Sequence, residues 1–359
     1  MRTSNILINL SSADWEFAFG DPTVLERPDD LTNCEWLRAT VPGCSHLDLM
    51  AAGRLADPFF RKQEEDSYWL EDQVFWYRTR FHYDPPNASG PLKLVFEGLD
   101  TLASVYLNGL ELASFANMFI AHEADVTGLL KPDNELLVRF TPPKWALQDK
   151  PADRYWAFKP ESKRQYLRKA QYSFGWDWGP RLATCGVWKD VYLAGFRNLR
   201  LADTCVRTRL LADGAAQVTV FVEVEALTEG AHFAELALTA TDEAGRLVWQ
   251  QQTPFSANGK SRLIETFRVE DPHLWWCAGQ GDQPLYNLTC QLSVDGAQED
   301  LTSTRFGIRE VRFDETPDPD ESGSSFILEL NGRPIFSKGA NWIPARSEER
   351  RVGKECRSR

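Results

Sequence analysis

The sequence predicts an all-β chain in which a jelly-roll sandwich is followed by an immunoglobulin-like sandwich. Three observations carry this prediction. Short segments that alternate apolar and polar residues recur along the chain, glycine-containing turns separate several of them, and the pattern changes near residue 196. We therefore assign residues 1–196 to the first sandwich and residues 197–305 to the second.

The strand signals of the first sandwich are short and closely spaced. Residues 75–81 (FWYRTRF) alternate with period two, which predicts a half-buried strand with Phe75 and Tyr77 on the inner face. Asn108-Gly109 predicts a hairpin between residues 103–107 and 110–114. Further strands are predicted at residues 92–96 and 134–140. This spacing suits a double-sheet sandwich of jelly-roll type.

The second sandwich is predicted from seven consecutive alternating segments, which is the strand number of an immunoglobulin-like domain. They cover residues 204–211, 216–225, 234–242, 246–252, 261–267, 285–293 and 300–305. Trp275 and Trp276 are expected to pack this domain against a neighbour, because interface cores favour tryptophan. Beyond it, residues 306–313 are predicted to form one strand, and Asn331-Gly332 a second hairpin, between residues 326–330 and 334–337.

Composition excludes several functions. The chain has 359 residues, 43% of them hydrophobic and 26% charged, as in an ordinary globular protein. Its net charge of −12 argues against nucleic acid and anionic membranes as partners. No apolar run approaches the roughly 18 residues of a membrane span, and the first ten residues lack the pattern of a secretory leader. We expect a cytoplasmic protein.

The cysteines argue against metal sites and disulfides. There are seven, an odd number, without CxxC spacing. Cys205 and Cys290 suggest a pair within the second sandwich, but nothing indicates an oxidising compartment. The sequence also lacks a phosphate-binding glycine loop and a metal-spaced histidine pair. We therefore predict free thiols, no metal and no cofactor.

One stretch stands out as a candidate site. Residues 169–181 (KAQYSFGWDWGPR) contain two glycines and a proline, so they cannot form a regular helix or a central strand. They predict a rigid loop that presents Trp176, Asp177 and Trp178. Indole faces beside an acceptor-only carboxylate suit a sugar ring, which stacks on the indole and donates its hydroxyls to the carboxylate. Core packing of both indoles with a turn-capping aspartate explains the same residues.

Four motifs resemble the β-mannosidases of glycoside hydrolase family 2. The GWDWGPR stretch continues into CGVWKDVYL at residues 185–193. The others are WLRATVPGCSHLD at 36–48, LWWCAGQG at 274–281 and FSKGANWIP at 336–344. They occur in the family's order and cover residues 15–345. Two departures are Cys277, where the family tends to have proline, and Arg346, where it has an acidic residue.

The resemblance implies a fold and a function. It implies that residues 1–196 form a jelly roll like those that bind sugars, and that residues 306–345 begin a catalytic (β/α)₈ barrel. In such retaining enzymes two glutamates on barrel strands perform the chemistry, and both would lie beyond the end of this chain. Trp176 would be a stacking wall and Asp177 a hydroxyl acceptor in the pocket for the terminal sugar. We expect the chain by itself to be inactive.

The implied activity is the release of terminal β-linked mannose, with retention, from mannan-derived or N-glycan-derived oligosaccharides. Two alternatives remain open. One is a free-standing, lectin-like carbohydrate-binding protein. The other is a related family 2 enzyme, such as a β-galactosidase, β-glucuronidase or exo-glucosaminidase. Residues 346–359 have no apolar periodicity and a high density of charge, and we interpret them as a non-native tail.

The remaining polar clusters have simpler interpretations. We expect Lys163, Arg164, Arg168 and Lys169 to form a solvated face, because isolated charges mostly face water. Two further groups are interpreted as exposed loop charge, namely Glu64-Glu65-Asp66 and Glu97 with Asp100. Ser45, His46 and Asp48 resemble a hydrolase triad in composition, but consecutive residues seldom adopt triad geometry. In the resembling family the first catalytic glutamate follows an asparagine, but we interpret the pair Asn134-Glu135 as the start of a strand and its likeness to that motif as a coincidence.

Overall fold

The structure is a computed structural model that describes residues 5–84, 90–151, 163–175, 179–320 and 322–341. The described residues fall into two compact units. The first unit is Ile6–Gly195, and the second is Phe196–Asn341 together with Asn5. Each unit has its own hydrophobic core. The predicted tail at 346–359 lies outside the described residues.

The first unit is a sandwich of antiparallel sheets. One sheet has the order β1-β12-β5-β9 and the other the order β3-β2-β4-β10-β7-β8, while β6 and β11 form a small third pair. The elements are β1 Ile6–Asn9, β2 Trp15–Gly20, β3 Leu37–Ala39, α1 Ser45–Ala51, β4 Val74–His82, β5 Leu92–Phe96, β6 Leu99–Asp100, β7 Ala103–Leu107, β8 Leu110–Phe115, β9 His122–Asp125, β10 Asp133–Phe140, α2 Pro143–Ala146, β11 Gly186–Val187 and β12 Val191–Gly195. Short 3₁₀ helices lie at Pro28–Asn33, Glu65–Asp72, Arg164–Tyr166 and Gln171–Ser173.

The hairpin predicted at Asn108-Gly109 is confirmed. Strands β7 and β8 meet there, with Leu107 paired to Leu110. Both turn residues have positive φ, 52° and 83°. An asparagine followed by a glycine tolerates this conformation, which matches the twist of the flanking strands.

Strand β4 is more deeply buried than its alternation predicts. Phe75 and Tyr77 lie in the main core, as expected. Trp76, on the opposite face, is also fully buried and donates its indole N–H to the carbonyl of Leu25 at 3.1 Å. A second small core around Trp76 includes Leu25 and Leu31, because the chain after β2 folds over this face of the sheet. The prediction of a half-buried strand was therefore wrong at Trp76, while Arg80 on the same face is exposed as predicted.

The second unit contains a seven-stranded sandwich followed by a three-stranded sheet. The seven strands correspond to the seven predicted segments, in sheets of order β13-β14-β17 and β16-β15-β18-β19, and this confirms the immunoglobulin-like prediction. The third sheet has the order β20-β21-β22. The strands are β13 Leu199–Leu210, β14 Ala216–Ala226, β15 His232–Thr241, β16 Leu247–Ala257, β17 Lys260–Val269, β18 Tyr286–Val294, β19 Ala297–Phe306, β20 Val311–Asp314, β21 Ile327–Leu330 and β22 Arg333–Ile335.

The segment predicted as one strand at residues 306–313 is divided. Strand β19 ends at Phe306 and β20 begins at Val311. Trp275 explains the break, because its backbone N–H donates to the carbonyl of Ile308 at 2.9 Å and its side chain leaves no room for a Cβ at Gly307. A residue far away in the sequence thus interrupts a strand that local alternation makes continuous.

The two adjacent tryptophans pack inside the second unit. Asn331 donates its side-chain amide to the carbonyl of Trp275 at 3.0 Å, and the Arg333 guanidinium lies 4.9 Å from the ring centre of Trp276. Asn331 and Arg333 lie beyond the predicted boundary at residue 305, so these contacts agree with the prediction that the two tryptophans pack the second sandwich against a neighbouring segment. Asn331 also lies in the turn of the second predicted hairpin, β21–β22, which is confirmed by the pairing of Leu330 with Arg333.

The end of the second unit has an exposed apolar surface. The rings of Phe313 and Phe326 stack at 4.9 Å while 54% and 74% of these residues remain exposed, and Phe336 is 80% exposed. In the described part of the chain, which reaches Asn341, this region is a three-stranded sheet and no barrel. Among these residues, no helix is long and apolar enough to cross a membrane.

Candidate functional site

The two predicted sugar-contacting residues, Trp176 and Asp177, lie outside the described residues, as does Trp178. The chain on both sides of them is described. It ends at Gly175 on one side and resumes at Gly179 on the other. We call residues 169–185 the site loop and describe what holds its two ends.

The two described parts of the site loop, before and after residues 176–178, are paired with each other. Phe174 and Arg181 form an isolated antiparallel bridge. Phe174 is buried in a small core with Leu147, Leu167 and Ala183. Apolar packing therefore anchors the first flank at Phe174, and main-chain pairing joins the second flank at Arg181 to it.

Gly175 is required by this close approach. Its φ is +78°, and a Cβ at this position would lie 3.1 Å from the Cβ of Arg181. An L side chain disfavours this backbone region and would also press on the opposite flank.

Replacing Gly175 with alanine is expected to destabilise the first unit by about 1–2 kcal/mol, because a non-glycine residue is strained at positive φ. Urea denaturation measures this loss. The matched control is Gly179→Ala, since a Cβ at Gly179 would meet no atom of the described residues within 4 Å and the φ of Gly179 is not in the left-handed region. Equal unfolding midpoints for the two variants would contradict the assignment of strain to Gly175.

Arg181 is held through both its side chain and its backbone. Its guanidinium forms a bidentate ion pair with Glu71, with Nε donating to Oε1 at 2.6 Å and Nη2 donating to Oε2. Its backbone N–H donates to Oε1 of Glu64 at 2.9 Å. Glu71 is only 8% exposed. Bidentate arginine–carboxylate pairs fix direction as well as distance, so the second flank of the site loop has a defined position.

Glu64 is a structural acceptor, and its interpretation as exposed loop charge was wrong. It is half-buried, and besides the Arg181 backbone it accepts a hydrogen bond from the Tyr68 hydroxyl at 2.9 Å. Burial and this hydrogen bond raise the pKa of Tyr68 to about 12, so the phenol stays protonated and remains a donor. Glu64, Tyr68 and Glu71 are spaced four and three residues apart, at and within the 3₁₀ helix Glu65–Asp72.

Lys169 and Asp100 form a buried ion pair, so the predictions that both are exposed were wrong. Lys169 was predicted to face solvent and Asp100 to be exposed loop charge, but they are only 2% and 3% exposed. The Lys169 ammonium donates to both carboxylate oxygens of Asp100 and to the carbonyl of Thr184 at 2.7 Å. The Thr184 hydroxyl donates to Asp100 Oδ2 at 3.0 Å. A buried ammonium needs such partners, and nothing local in the sequence identifies them.

The other basic residues near the loop differ among themselves. Arg168 is exposed, as predicted. Lys163 is half-buried and donates to the carbonyls of Leu147 and Gln148 at 2.9 and 2.6 Å. The predicted solvated face therefore holds for only part of this group.

Two of the sequence motifs meet beside the site loop. The backbone N–H of Gly43 donates to the carbonyl of Val187 at 2.9 Å, and that of Ser45 donates to the carbonyl of Cys185 at 2.8 Å. A Cβ at Gly186 would lie 2.9 Å from the carbonyl oxygen of Gly43. The motif at 36–48 thus forms the support on which the end of the site loop rests.

Ser45, His46 and Asp48 do not form a catalytic triad. Ser45 Oγ lies 3.4 Å from His46 Nδ1, but the Asp48 carboxylate accepts hydrogen bonds from the Tyr77 hydroxyl at 2.9 Å and the Thr40 backbone at 2.8 Å. Asp48 is therefore bonded to groups other than His46. Burial, and next the positive charge of Lys169, lower the pKa of His46 to about 4. A histidine neutral at physiological pH and 5% exposed is a packing residue.

The cysteines and the Asn134-Glu135 pair have structural roles. The six described cysteines are free thiols. Cys185 is the last residue of the site loop, and burial raises its pKa to about 12, so the thiol stays protonated. The Asn134 side chain bonds the backbone of Lys131, and Glu135 pairs with Arg80 on the neighbouring strand. Within the described residues, no group of three or more metal-ligating side chains could hold a metal ion.

Comparison with family models gives two matches. A model described as "Glycosyl hydrolase 2 galactose-binding domain-like" matches residues 15–189, and one described as "Glycosyl hydrolases family 2" matches residues 199–309. The first match includes the whole site loop. The two matches together cover most of the chain.

Curated relatives are similar over most of this chain. "Beta-mannosidase B" of Neosartorya fischeri is 34% identical over 325 residues, which is 88% of this chain and 38% of that protein. "Beta-mannosidase B" of Aspergillus fumigatus is 35% identical over 312 residues, 85% of this chain and 36% of that protein. The chain therefore spans little more than a third of the length of these relatives.

Two solved structures have a fold similar to that of this chain. A β-D-mannosidase from Dictyoglomus thermophilum is 34% identical with a TM-score of 0.82, over 96% of this chain and 42% of that one. An exo-chitosanase from Amycolatopsis orientalis is 20% identical with a TM-score of 0.68, over 95% of this chain and 38% of that one. At that identity the second similarity concerns the fold alone.

Proposed function

The chain belongs to glycoside hydrolase family 2 as a β-mannosidase-related protein, and from this premise we propose that it is the non-catalytic N-terminal portion of an exo-acting β-mannosidase. The observation that carries the proposal is the similarity to proteins named β-mannosidase, at 34–35% identity over more than four-fifths of the chain. The resemblance inferred from the four motifs is thereby confirmed at the level of the family. The complete protein is a glycoside hydrolase under this proposal.

In the proposed enzyme the site loop forms one wall of the pocket for the terminal sugar. Trp176 stacks on the ring face and Asp177 accepts hydrogen bonds from the hydroxyls. The anchored flanks at Phe174 and Arg181 support this role, because a loop that binds a ligand needs fixed ends. The two catalytic glutamates belong to the part of the relatives that this chain does not cover, on the barrel proposed to begin at 306–345.

The proposed reaction is hydrolysis, with retention, of terminal non-reducing β-mannose residues. The substrates are oligosaccharides derived from mannan or from N-glycans. Half of a pocket leaves most of a sugar in water, so the 359-residue chain should neither hydrolyse nor measurably bind mannosides by itself. Isothermal titration of this chain with mannose and mannobiose tests that statement. Robust binding that disappears in Asp177→Ala would favour the lectin-like alternative instead.

In the complete enzyme, Asp177→Ala is expected to lower kcat/KM for 4-nitrophenyl β-mannoside by about 10- to 100-fold. The reason is that hydrogen bonds to a charged group contribute about 1.5–3 kcal/mol. The matched control is Asp149→Ala, which removes an exposed carboxylate of the same region and should leave kcat/KM unchanged. Unimpaired hydrolysis by Asp177→Ala would remove Asp177 from the pocket. Faster hydrolysis of the galactoside, glucuronide or glucosaminide would keep the family but change the sugar.

A further inference from the structure

Two ion pairs hold the site loop from opposite ends. Lys169, at its beginning, pairs with Asp100, and Arg181, after the tryptophans, pairs with Glu71. Neither carboxylate belongs to the loop. Asp100 ends β6, and Glu71 lies on the 3₁₀ helix Glu65–Asp72. Two separate elements of the first unit therefore determine where the loop begins and where it returns.

The two pairs differ in what they determine. Lys169 and Asp100 are almost completely buried, and both bond Thr184, near the other end of the site loop. Glu71 and Arg181 lie nearer the surface, with side-chain exposures of 9% and 22%. The Glu71 carboxylate is nearly buried and needs a partner, and a bidentate guanidinium supplies one that also fixes direction.

The Arg181 contacts orient the chain as well as attach it. Its guanidinium is held by two parallel hydrogen bonds, its backbone N–H by Glu64, and its Cζ lies 5.2 Å from the ring centre of Tyr68. A planar guanidinium held in this way has one permitted direction. The main chain at 181, four residues after Asp177 in the sequence, is thus fixed in both position and direction.

We infer that Glu71 and Arg181 are positioning residues for sugar binding. Their ion pair fixes the position of the returning flank of the site loop at Arg181, and the proposed sugar binding by Trp176 and Asp177 depends on that position. This inference rests on the proposed function of Trp176 and Asp177, and it adds two residues outside the sugar contacts to the determinants of binding.

Loss of the pair should act on binding more than on chemistry. A loop contact that is equal in the ground state and the transition state changes KM while kcat stays constant. We therefore expect Glu71→Gln to raise KM for 4-nitrophenyl β-mannoside about tenfold and to change kcat less than about twofold.

The experiment uses the complete enzyme with the variants Glu71→Gln, Arg181→Gln and their combination. Because both single variants break the same pair, the double variant should have a KM no higher than either single one. Arg181→Lys retains the charge without the bidentate geometry and should give an intermediate KM. If Glu71→Gln fails to fold, the comparison of Arg181→Lys with wild type still tests the inference.

The matched control is Glu16→Gln. Glu16 pairs with Arg78 on the sheet through Nε and Nη2, and the Arg78 side chain is 15% exposed, close to the 22% of Arg181. Glu16 is 44% exposed against 9% for Glu71, so this control loses a less buried arginine–carboxylate pair away from the loop, and it should retain the wild-type KM. Hydrogen exchange of peptides covering residues 169–185 should accelerate in Glu71→Gln and not in Glu16→Gln.

The outcomes separate this inference from the proposed function. If Asp177→Ala raises KM but Glu71→Gln does not, the positioning role is refuted and the sugar contact stands. If Glu71→Gln accelerates exchange in the loop while Asp177→Ala leaves kinetics unchanged, the ion pair holds a loop that does not bind sugar. Equal effects of Glu71→Gln and Glu16→Gln on KM would assign both pairs to general stability and overturn the inference.

Discussion

Replacing Asp100 with asparagine is expected to lower the free energy of unfolding of the first unit by about 3–5 kcal/mol, because removing one partner of a buried ion pair leaves an uncompensated charge. Asp100 and Lys169 are 3% and 2% exposed, so water cannot replace the lost carboxylate. The asparagine keeps the size of the side chain, so the loss reports charge and hydrogen bonding. Urea denaturation followed by tryptophan fluorescence measures it.

Two comparisons sharpen this experiment. Asp72 pairs with Lys144 at 2.6 Å, but their side chains are 52% and 64% exposed, so Asp72→Asn should cost at most about 1 kcal/mol. Replacing Lys169 with methionine together with Asp100→Leu should cost less than Asp100→Asn alone, because no buried charge is left unpaired. A loss below about 1 kcal/mol for Asp100→Asn would show that Lys169 finds water or another acceptor in the folded state.

Acidification from pH 6.5 to pH 4 is expected to remove about 3 kcal/mol of stability through His46 alone. Burial, and next the charge of Lys169, lower its folded pKa from 6.5 to about 4, while Asp100 offsets part of this shift. Between these values the unfolded state binds a proton that the folded state does not, so stability rises with pH in this window. Above pH 6.5 the contribution is constant.

The variant His46→Gln isolates that contribution. Its free energy of unfolding should change less than that of the wild type between pH 7 and pH 4, by about 3 kcal/mol. The difference between the proteins is the measured quantity, because burial raises the pKa of neighbouring Asp48 and this acts in the opposite direction. The control His82→Gln removes an exposed imidazole and should follow the wild-type curve. Parallel curves for His46→Gln and wild type would show that His46 is solvated.

Much of the fold follows from local patterns. The seven strands of the immunoglobulin-like sandwich and the hairpins at Asn108 and Asn331 coincide with predicted segments, because alternation and turn chemistry act over a few neighbouring residues. The prediction of one continuous strand at 306–313 was wrong, because Trp275, about thirty residues earlier, bonds the backbone at Ile308. Local alternation contains no information about such a contact.

The candidate site was identified only in part from the sequence. The loop at 169–181 was recognised from its aromatic and carboxylate residues, and Trp176 and Asp177 remain proposals. Glu71 and Asp100, which hold the flanks, were missed or interpreted as solvent-exposed. The spacing of Glu64, Tyr68 and Glu71 was the available signal, but it does not indicate which cation they would face.

The sequence by itself determined the all-β class, the strands of the second sandwich and the family, since periodicity, turns and motifs are properties of contiguous residues. Only the tertiary structure decided which charges are buried. The buried ammonium of Lys169 is stabilised by Asp100 and Thr184. Trp76 is buried because the segment around Leu25, about fifty residues earlier, covers its face of the sheet. Burial depends on which distant segments cover a residue. The charge of a side chain does not by itself reveal whether those segments supply a hydrogen-bond or ion-pair partner.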